Sequence, residues 1–200
     1  MKVFRSKRLW VRLGSLWIAG LAILLFTWVL SYRGLPEGVA VGSSAPYVVP
    51  ITTEDPTTTF IRIFLWNLGF GCGLIMIANF FQIKGFPLGY LLVFYRWAMY
   101  GVLLGTNSFV IPGPGRFFPS LSTLFYGTGM YEITAYTLIP AAIFSLRVPS
   151  EGNKAKSQKT TEALKWGIPK LSKVEWCVVG LAILVLAVSN YFETVNIFHA

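Results

Sequence analysis

The sequence predicts an all-α fold, a polytopic membrane bundle of five transmembrane helices, and three observations predict it. First, 54% of the residues are hydrophobic and only 12% charged, with a mean hydropathy of +0.61, where a soluble domain carries about 25% charged residues. Second, the apolar residues gather in runs close to the ~20 residues that cross a bilayer as a helix. Third, the basic residues alternate in position with those runs as the positive-inside rule requires. One membrane domain covering 1–200 follows, with spans at about 13–31, 60–82, 87–105, 120–146 and 174–193. The N-terminus is then cytoplasmic and the C-terminus outside.

The net charge of +9 is the usual footprint of a nucleic-acid binder, but its placement excludes that class. All Lys and Arg except Arg33, Arg62, Arg96 and Arg116 fall at 1–12, at Lys84 or at 147–173, the stretches that the span order places in the cytoplasm. Residues 1–12 precede the first apolar run in the manner of a signal peptide. The run is longer than a usual signal core and no small-x-small cleavage site follows it, so an uncleaved first helix is expected.

Residues 32–59 carry Pro36, Pro46, Pro50 and Pro56 and show no helical or strand period, as in an extended outer loop. On the second span Asn67, Gly71, Ala78 and Gln82 recur at helical spacing, a face suited to close helix packing and to an interhelical amide hydrogen bond. The turn 82–87 places Lys84 and Gly85 on the cytoplasmic side and Pro87 in the first turn of the third span, which carries Gly89, Gly101 and Gly105. Residues 106–119 combine a Pro-Gly-Pro-Gly core with Phe109, Phe117 and Phe118. This composition fits an interfacial or re-entrant loop packed against protein.

The fourth span is long, with Gly127, Gly129 and Pro140 allowing a kink or a break. The cytoplasmic loop after it carries Lys154, Lys156, Lys159, Lys165 and Lys170, a set suited to anionic inner-leaflet lipids or simply to fixing topology. Cys72 and Cys177 lie in apolar runs, where free thiols act as small hydrophobes. No CxxC, CxxCH or Asn-x-Ser/Thr is present.

Two charges stand inside apolar runs. Arg96 lies near the middle of the third span and Glu132 near the middle of the fourth. At ~1.5 Å rise per residue both reach one level, and a single unpaired charge there is costly. The pair is expected to meet, directly or through one water. It then serves either as a structural clasp or as a proton relay or substrate site. No second acid is expected inside the membrane, and HExxH and GxSxG are absent, so no catalytic residue, metal site or cofactor is assigned. The sole histidine, His199, excludes haem or chlorophyll ligation by several histidines.

Several motifs together resemble the stage II sporulation protein M family of five-span membrane proteins. Asn67 in Phe64-Leu65-Trp66-Asn67 is similar to the family's Asn near the start of its second span. Lys84-Gly85 followed by Gly89 is similar to its short turn. Gly129-x-x-Glu132-x-x-Ala135 resembles the end of its Pro-His-Gly-x-x-Glu motif, with Gly127 and Thr128 where the Pro and His would stand. Glu193 near the end of the last span resembles the family's terminal segment. The resemblance implies a bacterial or archaeal cytoplasmic membrane and a scaffold role, like that of the sporulation member, which gathers peptidoglycan-degrading enzymes at a septal membrane. Partners would be other membrane proteins or further copies of the chain. The missing His would remove an acid–base partner of Glu132. A transporter component with a polar site at Glu132 and Arg96 is the alternative; an intramembrane enzyme or an accessory subunit of a photosynthetic or respiratory assembly is weighed beside it.

Overall fold

The computed structural model describes residues 3–41, 55–83, 86–109, 115–146 and 171–199. Lys84, Gly85, Lys154, Lys156, Lys159, Lys165 and Lys170, each given a role from sequence, lie outside them. The first long helix, α1, covers Leu9–Gly34. The second begins as α2 (Pro56–Trp66), widens into a π-helical segment at Asn67–Gly73 and continues as α3 (Leu74–Asn79). A two-stranded hairpin, β1 (Gln82–Ile83) against β2 (Phe86–Pro87), leads to α4 (Leu88–Thr106). The short α5 (Leu121–Tyr126) precedes α6 (Gly129–Ala142), which ends in a 3-10 turn at Ile143–Leu146. The last helix, α7, covers Lys173–His199.

Four of these helical stretches, α1, Pro56–Asn79, α4 and α7, are long and apolar enough to cross a membrane. The fourth expected span is not one helix. Its break falls at Gly127, whose backbone is extended, and not at Pro140, which stays inside α6. The cause is a neighbour: a Cβ at Gly129 would sit 2.5 Å from the ring of Tyr100, and one at Gly127 would lie 3.4 Å from its hydroxyl. The two glycines make room for an α4 side chain. After the break, Pro140 lies two residues before the end of a short helix.

Despite the break, the α5–α6 stretch travels the length of the bundle. The Trp28 indole of α1 donates to the Phe117 carbonyl, that of Trp17 to Thr134, and Arg12 to the Ala141 carbonyl. The stretch therefore runs antiparallel to α1 from Trp28 to Arg12, ~24 Å at 1.5 Å per residue. On its other flank α6 runs antiparallel to α7: Ser189 donates to the Thr128 carbonyl, and Glu175 shares Arg12 with Ala141. Ten of the fourteen residues of α6 are buried, so it forms the core that the longer helices enclose.

Glycines set the closest approach, between α1 and α4. A Cβ at Gly101 would lie 2.5 Å from the Leu24 carbonyl oxygen, and one at Gly105 would lie 2.8 Å from that of Trp28. From the other side, Gly20 of α1 receives the Trp97 indole. Backbones this near exchange dispersion contacts that larger residues would block, which is how helices associate without a hydrophobic gradient.

The helix ends are satisfied by identifiable groups. Asp55 caps α2 ahead of Pro56, accepting from the Thr57 and Thr58 amides and the Thr58 hydroxyl; these bonds hold its carboxyl below the ordinary 3.8. Pro87 is the N-cap of α4 and not a residue of its first turn. Ser172 and Glu175 form a reciprocal capping box on α7. Asn107, at φ 50, closes α4 in the left-handed conformation that Asn tolerates. Two arginines cap the other ends. Arg116 donates to the Gly105, Ser31 and Tyr32 carbonyls, finishing α4 and α1 together. Arg12, 3% exposed, donates to the Ala141, Ser6 and Lys7 carbonyls, pairs with Glu175 at 3.4 Å and lies 4.8 Å from the Phe144 ring centroid. Residues 1–12 are therefore not a uniformly solvated basic patch. Cys177 is exposed on α7, while Cys72 is buried.

Candidate functional site: a polar cluster around Glu132

Glu132 stands in the first turn of α6, and Tyr136 is four residues on, on the same helix face. The Tyr136 hydroxyl donates to Glu132 Oε1. The guanidinium carbon of Arg96 on α4 lies 5.5 Å from the Tyr136 ring centroid, within cation–π range. The structure thus brings the two expected charges together, within electrostatic range and connected by a tyrosine.

The π-helical segment of the second span makes room for this ring. A Cβ at Gly71 would lie 2.4 Å from Cε1 of Tyr136, so the glycine read from sequence as a packing residue is the seat of the tyrosine. Cys72, the next residue, is buried within electrostatic range of both Glu132 and Arg96. The wider turn of a π-helix, often found at functional positions, is thus placed against the charged pair.

Two further groups face the cluster. Tyr100, one turn beyond Arg96 on α4, is within range of Glu132 and of Glu193. Glu193 itself interacts electrostatically with Glu132. The expectation of a single interior acid is corrected here. Because α7 continues six residues past Glu193, to His199, that carboxyl lies inside the helix and half-buried and not at its frayed end.

Around the cluster, interhelical hydrogen bonds fix α6. The Thr134 and Thr137 hydroxyls donate to the carbonyls four residues back. Their lone pairs then accept the Trp17 indole at 3.2 Å and the Trp97 indole at 3.0 Å. Asn67 donates to Asn190 of α7 at 3.1 Å, the amide bond expected of it. Ala78 and Ala135 are buried as packing residues. Gln82 falls beyond the helix in β1, so it does not extend the Asn67 face. Gly89 lies against Asn79, where a Cβ would be 2.8 Å from the Asn79 Cβ, a packing role and not only a turn.

Tyr136 was legible as the same-face neighbour of Glu132. Arg12, Arg116 and Tyr100 were not, because their partners lie on other helices. Comparisons with protein-family models, with characterised proteins and with solved structures find no match.

Proposed function

We propose that the chain is a five-span integral protein of a bacterial or archaeal cytoplasmic membrane, N-terminus inside and C-terminus outside. In this view it is a non-catalytic scaffold or accessory subunit that stabilises partner membrane proteins, as its resemblance to the stage II sporulation protein M family implies. One observation carries the proposal: the interior polar side chains of α6 are engaged by protein groups. Thr134 and Thr137 receive donors from other helices, Trp17 of α1 and Trp97 of α4, while Glu132 receives Tyr136 within α6 itself. Outside this rigid interior, the second span presents Ile61, Leu65, Phe70, Leu74 and Ile77, all exposed, to lipid or to a partner helix.

Purification of the whole protein from its native membrane in mild detergent tests the proposal. A stoichiometric membrane partner, retained by Glu132→Gln, is the expected result. Recovery of the chain alone across several detergents would overturn it. The Glu132–Glu193 proximity favours a second reading, a transporter component in which two acids handle a proton or cation. Solute or proton flux in proteoliposomes, abolished by Glu132→Gln with the fold intact, would establish that alternative instead.

A further inference from the structure

The break between α5 and α6 leaves a groove along α7. Where a continuous helix would have packed, Gly127 and Thr128 cross over, and a space of about 830 Å³ opens between them and α7. That volume lies within the ~300–1,000 Å³ range of small-molecule sites.

The α7 wall centres on a stripe at helical spacing, Leu184, Val188, Phe192, Asn196 and His199, flanked by Val185 and by Ser189, whose hydroxyl donates to the Thr128 carbonyl. Its polarity is graded. Leu184, Val188 and Phe192 are 60%, 47% and 53% exposed, and Phe125 of α5 faces them across the groove. Asn196 and His199 supply amide and imidazole groups at one end only. From Leu184 to His199 the helix rises ~22 Å, so the stripe passes from the middle of α7 to its described end.

Among the described residues, no Lys or Arg lines the groove. A phosphate head group would meet no lysine or arginine of the described residues here. An uncharged head able to exchange hydrogen bonds would meet Asn196 and His199. We propose that this groove binds a long-chain amphiphile with an uncharged, hydrogen-bonding head group. The tail lies along Leu184, Val188 and Phe192 and the head at Asn196 and His199. The proposal requires α7 to lie in a bilayer and is independent of whether the protein is a scaffold or a transporter.

Photolabelling of the full chain in phosphatidylcholine nanodiscs tests it. Two probes carry the same diazirine-bearing hexadecyl chain, one ending in an alcohol and the other in a phosphate monoester. The alcohol is expected to label the 184–192 peptide about fivefold more than the phosphate. Val188→Trp, which fills the groove, should reduce labelling to background while the protein elutes as a single species. Leu184→Trp, at the more exposed position, serves if Val188→Trp does not fold. The double change Asn196→Ala with His199→Ala should leave tail labelling but abolish the preference between heads.

Equal labelling by the two probes, or a preference for the phosphate, would overturn the proposal and point to ordinary phospholipid. An unlabelled groove would overturn it in favour of a protein segment as occupant. Labelling unchanged in the filled variants would also refute it.

Discussion

Gly101 and Gly180 look alike in sequence, single glycines in apolar helices, yet the structure separates them. A Cβ at Gly101 meets the backbone of α1 at 2.5 Å, whereas at Gly14 or Gly180 nothing lies within 4 Å. Backbone cannot rotate away, so Gly101→Ala should cost about 1–3 kcal/mol through overpacking. Gly180→Ala should stay within about 0.5 kcal/mol of wild type or improve on it, because alanine is the better helix former. Unfolding midpoints in detergent would check the contrast; equal effects at both sites would dissociate the α1–α4 contact from stability. Hydrogen bonds are smaller individually. Loss of the Trp97–Thr137 bond by Thr137→Val should cost only about 0.6–1 kcal/mol, so close packing outweighs any single polar bond in this bundle. Arg12 is the exception, since one side chain serves three backbone carbonyls and a carboxylate. Arg12→Met should lower stability by about 3 kcal/mol or more. Glu175→Gln, which leaves the carbonyl bonds in place, should cost much less. A comparable loss in both variants would mean that the ion pair, and not the capping of α6, matters.

At the scale of elements, the π-helical segment and α6 form one fitted pair through Gly71 and Tyr136. Gly71→Ala should destabilise by about 1–3 kcal/mol because the new methyl enters the tyrosine ring. Combined with Tyr136→Leu, its additional cost should largely vanish, giving a coupling energy of about 1 kcal/mol or more in a double-mutant cycle. Additive effects would show that the two elements do not depend on each other. The α2 cap has its own signature in pH. The Asp55 carboxyl is lowered from 3.8 by its bonds to Thr58 and Thr57, so the folded state binds its proton less readily than the unfolded chain. The cap therefore contributes fully above 3.8 and is lost as the pH falls below that value, through the folded pKa. Amide exchange at Thr57 and Thr58 should rise over that window relative to the rest of α2, and Asp55→Asn should remove the pH dependence. These elements also show what sequence makes visible. The long apolar runs located α1, the second span, α4 and α7 to within a few residues, because a bilayer-length run is a local property. Glu132 and Arg96 stood out as charges in apolar surroundings. The π-helical widening escaped notice, and Gly127 stood only as one of three residues that allowed a break, because the causes of both, the Tyr136 and Tyr100 rings, arrive from other helices. Ser172-x-x-Glu175 was a local capping signal and could have been read.

For the whole molecule, the number of spans turns on α5 and α6. Among the described residues four helices are long and apolar enough to cross a membrane alone, and four crossings would put both termini on one side. The broken stretch, however, follows α1 from Trp28 to Arg12, ~24 Å, most of a hydrocarbon core of about 30 Å. Its Phe117, Thr128 and Ala141 carbonyls accept from side chains of α1 and α7, and the extended Gly127 at its break sits beside the Tyr100 hydroxyl, where irregular backbone is tolerated because protein surrounds it. On the five-span reading proposed above, a stretch that enters beside Trp28 and reaches Arg12 would cross despite its internal break, and the termini would lie on opposite sides. Paired reporters decide this. Alkaline phosphatase fused after His199 should be active, green fluorescent protein at the same point dark, and the reverse should hold for fusions within 147–170. Activity of the same reporter at both places would mean that α7 does not cross. Cytoplasmic signals from both the N-terminal and the C-terminal fusions would mean that α5–α6 turns back. The 3.0 Å bond from Arg12 to the Ala141 carbonyl would then have to join the cytoplasmic start of α1 to a stretch that had stayed on the outer side.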